Sequence, residues 1–140
     1  MRRGLFLSIV AAMLLASGAC YGQSAPPYPT RQVRIVVPYP AGGPTDLIAR
    51  LVAQKLGERL GQSFFVENVA GASGAVGAGQ VAHAAPDGYT LLVSTNDFAV
   101  ASVTNTNLPY DPVKNFTPVS LIATSPQVVA VNPPVRAKTM

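Results

Sequence analysis

Two short stretches of the chain combine glycine with hydroxyl side chains, a third carries hydroxyls without glycine, and none of the three contains lysine or arginine. They are residues 38–45, with Gly42, Gly43 and Thr45; residues 68–74, with Gly71, Ser73 and Gly74; and residues 94–96, with Ser94 and Thr95. Glycine lets a ligand approach the main chain, and the first turn of a helix leaves N–H groups unpaired at its positive end. The chemistry that suits such loops is capture of a small anion, a carboxylate held by peptide N–H groups and hydroxyls. The plainer alternative is that these glycines only make the tight turns that punctuate any α/β domain.

The remaining candidates for chemistry are weaker. His83 is the sole histidine and sits among Val81, Ala82, Ala84 and Ala85, with no nucleophile-elbow string and no second histidine. A packing or surface histidine fits better than the catalytic residue of an exported hydrolase, and neither a metal nor a cofactor is expected. Gly77, Gly79 and Ala82 fit a G-x-G-x-x-A string with Asp97 downstream. A dinucleotide fingerprint belongs in the turn that opens a helix, whereas these residues fall inside one. Asp46 has two readings, a ligand contact across a crevice or a carboxylate that complements the helix dipole.

The elements that must position these loops follow from apolar spacing. Residues 33–37 are a β-branched run that reads as a buried strand ended by Pro38. Thr45 offers an N-cap, and Leu47, Ile48, Leu51, Val52, Leu56 and Leu60 recur at helical steps up to Gly61. Residues 64–67 predict a second strand, 74–84 a second helix thinned by alanine, and 89–93 a third strand. A short helix is expected near residues 98–103, a turn at 109–112, strands at 117–123 and 127–131, and a fresh helix start at Thr139. Strand, helix, strand, helix, strand with short links implies an α/β fold, a parallel sheet flanked by helices. Ligands of such sheets sit beyond the carboxyl ends of the strands, which is where these three loops fall.

Composition narrows the setting. Arg2 and Arg3 precede the apolar stretch 5–16 and then Ser17, Gly18 and Ala19, the plan of a secretory signal peptide over residues 1–22. Twelve largely apolar residues rise only about 18 Å as a helix against a hydrocarbon core of about 30 Å, so this is no stable span. Two readings fit Cys20, the only cysteine: the lipid-anchored first residue of the mature chain, or part of a segment removed by simple cleavage. Residues 23–30 read as an extended leader with little to pack. Without a second thiol, stability must come from a packed core. The formal charge of +4 loses two units with Arg2 and Arg3, and the other basic residues are scattered, which argues against a nucleic-acid surface.

Several strings taken together resemble one family. Tyr28-Pro29, VRIVVPYPAGGPTDLIAR at 33–50, Val66-Glu67-Asn68, GASGAVG at 71–77, APDGYTLL at 85–92, LPYDP at 108–112 and FTPVS at 116–120 stand in the order seen in the Bug/TctC family. These are the periplasmic solute-binding proteins of tripartite tricarboxylate transporters. The resemblance implies a monomeric, bilobal, type II periplasmic-binding-protein fold that closes on an organic acid, dicarboxylate, amino acid or aromatic acid and delivers it to membrane transporter subunits. A sensor that presents its ligand to a sensor kinase is the alternative. By position, the implied site takes in Tyr39, Ala41, Gly42, Gly43, Thr45, Asp46, Gly71, Ala72, Ser73, Gly74, Ser94, Thr95 and Asn96. Residues 31–140 would then be the N-terminal lobe, with the second lobe largely missing, and half a cleft cannot capture by closure. The chain departs from the family's usual Gly-Ala-Gly-Gly-Asn-Ile-Gly at Ser73, Ala75 and Val76, and has Lys114-Asn115-Phe116 where Asp-Phe is familiar.

Overall fold

The structure is a computed structural model and describes residues 27–105 and 107–126. The expected signal peptide, Cys20, the strand at 127–131 and the helix start at Thr139 lie outside the described residues. Within them, strand β1 (Val33–Val37) leads to helix α1 (Pro44–Leu60), then β2 (Phe64–Asn68), a 3₁₀ turn (Ala72–Gly74), α2 (Ala75–Ala82), β3 (Thr90–Leu92) and α3 (Asp97–Thr104). The three strands form a parallel sheet ordered β2-β1-β3. Val37 is paired with Asn68 and Val36 with Leu92, so all three strands end at one edge.

β1 is central because four of its five side chains are fully apolar and β-branched, and a middle strand is covered on both faces. Val33, Ile35, Val36 and Val37 are each 1% exposed or less. On one face Ile35 and Val37 meet Ala49 and Ala53 of α1, with Phe64, Val66, Leu91 and Val93 around them. On the other, Ala75 and Ala78 of α2 pack with Tyr110, Leu92, Phe98 and Phe116. Phe98 stacks on Tyr110 at 5.8 Å between centroids, and Phe116 stands edge-on to both, which ties segment 108–116 to this face.

Close packing here depends on glycine inside α2. A Cβ on Gly77 would lie 2.7 Å from the Val69 carbonyl and 2.9 Å from Pro38 Cβ, and one on Gly79 would press on Pro109. The G-x-G-x-x-A string is therefore a packing surface between α2 and the loop that follows β1. His83 caps this helix: its Nδ1 lies 2.7 Å from the Gly79 carbonyl and its backbone N–H donates to the same oxygen.

The described structure differs from the sequence reading in four places. The N-cap of α1 is Gly43 rather than Thr45, with Pro44 at the first helical position. Proline suits that position because its fixed φ matches the helix and its missing N–H would be unpaired there anyway. The buried stripe of α1 is Asp46, Ala49 and Ala53, while Leu47 and Leu51 stay 62% and 58% exposed. Small residues bring the helix axis close to the sheet, and that proximity outweighs the larger side chains one position away. Residues 117–126 form no strand, and Val119 and Leu121 are exposed. Strand propensity acts only where an edge supplies hydrogen bonds, and the described part of this segment pairs with none. Finally, the leader does pack at its end: Pro29 is buried and the Tyr28 hydroxyl donates to the Gly88 carbonyl at 2.7 Å.

Candidate functional site

The parallel pairing sets the bends after β1, β2 and β3 at the same edge of the sheet. The first bend, residues 38–43, is held by a buried carboxylate. Asp46 is 3% exposed and sits in the first turn of α1. Its Oδ2 accepts from the Gly42 N–H at 2.8 Å and from Arg50 Nε at 3.1 Å, and its Oδ1 accepts from Asn68 Nδ2 at 3.0 Å. Asn68 also donates to the Tyr39 carbonyl at 3.2 Å and accepts from the Arg50 guanidinium at 3.0 Å. Gly42 adopts φ +83°, a left-handed conformation that glycine takes without strain. Of the two readings of Asp46, this network supports neither a ligand contact nor a simple dipole partner: the carboxylate is the clamp that shapes the loop.

The Arg50 guanidinium, then the Gly42 and Asn68 N–H groups, hold the Asp46 carboxyl down to about 2 from its ordinary 3.8. A carboxylate with a depressed folded pKa stabilises the fold above its unfolded value, and that contribution is lost as pH falls through the folded value. The melting temperature is therefore expected to hold above about pH 4 and to fall between about pH 4 and pH 2. Asp46→Asn should flatten that fall in part. Asp111, lowered by the Lys114 and Val113 N–H groups, contributes to the remainder. Thermal melts from pH 5 to pH 2 on both proteins check this.

Above the clamp lies an open cleft of about 500 Å³ lined by Tyr39, Pro40, Ala41, Gly42, Gly43, Pro44, Thr45, Thr95 and Asp97. The first helical hydrogen bond of α1 runs from the Leu47 N–H to the Gly43 carbonyl at 3.1 Å. The N–H groups of Gly43, Thr45 and Asp46 precede it and have no partner among the described residues. Across the cleft the Tyr39 hydroxyl lies 2.8 Å from Thr95 Oγ1 and 3.2 Å from Ser94 Oγ, tying the first bend to the third. The lining contains no lysine or arginine. Unpaired amides, a helix N-terminus and hydroxyls in one concavity can accept a small anion without an ion pair.

Of the expected residues, the cleft thus gathers Tyr39, Ala41, Gly42, Gly43, Thr45 and Thr95, with Ser94 bound to Tyr39 behind them. Asp46 lies beneath the cleft. Asn96 caps α3 through its backbone alone. The second bend, with Gly71, Ala72, Ser73 and Gly74, does not line this cleft; it packs on Pro38 through Gly74 and against α3. Ala72 and Ser73 there hold φ of +46° and +54°, uncommon for residues with a Cβ. The sequence reading gave Arg50 and Asn68 no role. The i,i+4 spacing of Asp46 and Arg50 was a readable sign, whereas Asn68 becomes a partner only through the register of β2 on β1.

A second groove of about 530 Å³ opens at the opposite ends of the strands, lined by Arg31, Gln32, Arg34, Phe65, Tyr89 and Thr90. Its cations are engaged: Arg31 with Asp87 at 2.7 Å and Arg34 with Glu67 at 3.1 Å. Arg31 also lies over the Tyr89 ring at 3.9 Å. The cleft at the carboxyl ends is the better candidate because its donors are unpaired.

Comparison with known proteins bears on this arrangement. BugT of Bordetella pertussis is 35% identical over 136 residues, which are 96% of this chain and 42% of BugT. MatC of Rhodopseudomonas palustris, solved with bound malate, is 46% identical with a TM-score of 0.64 over 68% of this chain and 33% of its own. The periplasmic binding protein BugD is 45% identical with a TM-score of 0.61 over 64% of this chain and 30% of its own. The chain spans well under half the length of each. The family model described as tripartite tricarboxylate transporter family receptor matches residues 48–140, which start inside α1 and take in β2, α2, β3 and α3. With the matched residues covering most of the chain, and its parallel sheet recurring in periplasmic binding proteins, the chain belongs to the TctC family of solute-binding receptors.

Proposed function

We propose that this chain supplies the carboxylate-receiving wall of a periplasmic receptor, which delivers a small organic acid to a tripartite tricarboxylate-type transporter and performs no catalysis. One observation carries the reading: Gly43 and Thr45, whose N–H groups have no partner among the described residues, line a cleft that contains hydroxyls and no cationic side chain. An anion there gains hydrogen bonds and the positive end of α1 without the desolvation of an arginine or lysine. Malate in MatC makes an acid of this size a sensible probe. Because relatives are two to three times longer, capture is a property of the receptor at their full length, with an opposing wall that closes over the acid.

The test is a thermal-shift screen of small mono- and dicarboxylic acids on the receptor at the length of its relatives. An acid at a hundred times its dissociation constant should raise stability by about 2.7 kcal/mol. If amines or sugars stabilise the protein and no acid does, the reading is wrong.

A further inference from the structure

The sequence holds six acidic residues, and five are ion-paired: Asp46 with Arg50, Glu58 with Lys55, Glu67 with Arg34, Asp87 with Arg31 and Asp111 with Lys114. The sixth, Asp97, is exposed, has no cation within 4.0 Å among the described residues, and lines the cleft. The cleft therefore has two electrical ends. The N-terminus of α1 offers unpaired N–H groups, whereas Asp97, the first residue of α3, presents an uncompensated carboxylate. The backbone N–H of Asp97 donates weakly to Thr95 Oγ1 at 3.4 Å, which keeps this first turn beside the Tyr39–Thr95 contact that closes the cleft.

Resting on the carboxylate reading above, we propose that Asp97 determines specificity: the acid this receptor prefers carries an ammonium or other cationic nitrogen at the end remote from its carboxylate. A dianion of the same length would set its second carboxylate against Asp97 with no neighbouring cation to relieve the repulsion. A ligand with a positive nitrogen turns the same charge into an attraction, strengthened once closure excludes water. Discrimination of this kind comes from the repulsive element as much as from the favourable contact. A carboxylate at this position also complements the dipole of α3, and that role would act on stability without choosing between ligands.

The experiment is isothermal titration of the receptor, at the length of its relatives, with 4-aminobutanoate and butanedioate, which match in length and differ at one end. The wild-type protein is expected to bind the amino acid at least about tenfold more tightly than the diacid, an opposite against a like charge at contact distance. Asp97→Asn should bring the two within about threefold, tightening the diacid and weakening the amino acid. Equal binding of both by the wild-type protein, or a ratio that Asp97→Asn leaves unchanged, overturns the role of Asp97 while the carboxylate reading stands. Binding of neither acid, with no acid active in the thermal screen, overturns both.

Discussion

Thr95→Asp is expected to weaken binding of a dicarboxylate roughly 5- to 150-fold while leaving the fold intact. Thr95 Oγ1 meets the Tyr39 hydroxyl at 2.8 Å on the wall of the cleft. A carboxylate in its place would take that hydroxyl as its own donor and add a negative charge to the wall of the cleft. Two like charges about 5 Å apart repel by about 1 kcal/mol in water and about 3 kcal/mol at the effective dielectric near a protein surface. The lower bound applies to the open cleft and the upper to the closed one. An aspartate can still accept from the Asp97 N–H, as Thr95 does, so the start of α3 should hold. Thr95→Ser keeps the hydroxyl and its contact with Tyr39 and should bind within about threefold of wild type. Titration calorimetry beside circular dichroism separates lost affinity from lost structure.

The second large effect belongs to the clamp. Asp46→Ala removes the acceptor shared by the Gly42 N–H, Asn68 Nδ2 and Arg50 Nε; the Gly42 N–H is left without a protein partner and Asn68 Nδ2 keeps only the Tyr39 carbonyl. Arg50 is half exposed and can turn to water, but the loop at 39–43 loses its side-chain anchor on α1. We expect the melting temperature to fall by about 5 °C, since three hydrogen bonds to one buried carboxylate are lost together. Acid binding should weaken with it, because the N–H groups at Gly43 and Thr45 are then no longer held in a common orientation. Asp46→Asn retains an acceptor for Gly42 and turns its amide toward a donor, so it should fall between wild type and Asp46→Ala. Exchanging the pair, Asp46→Asn with Asn68→Asp, places an acid and an amide in contact again beside Arg50. Recovery of part of the lost stability in that double variant would mark the contact as energetic.

These two sites also show which parts of the molecule are written locally. β1 could be read residue for residue, because an unbroken β-branched run ended by a proline has few other folded states. The end of α1 at Gly61 was equally plain: Gly61 sits at φ +70° and its N–H donates to the Gly57 carbonyl, the stop that glycine makes most easily. The buried face of α1 is not the one its large apolar residues mark at helical spacing, because Ala49 and Ala53 pack on the sheet by virtue of being small. Residues 117–123 have the composition of a strand, yet they pair with neither edge of the described sheet, a fact that exists only in three dimensions.

The candidate site divides along the same line. Glycine and hydroxyl composition placed the first and third bends at the site, and the structure joins them through Tyr39, Ser94 and Thr95. The second bend looked equivalent in sequence, with the same glycines before a helix. Its 3₁₀ turn and the packing of Gly74 on Pro38 set it apart from the cleft. Asp46 carried an ambiguous signal that resolved only when Asn68 came alongside it by the pairing of Val37 with Asn68.

The central claim is that the main chain at the start of α1 receives the acid without help from a cation. Amide proton shifts measure this most directly, recorded as the receptor at the length of its relatives is titrated with the acid that raises its melting temperature most. The Gly43 and Thr45 amides are expected to move downfield together and saturate with the binding curve. Silence at those two positions, with saturating shifts at Arg31, Arg34 and Thr90 around the opposite groove, would overturn the claim.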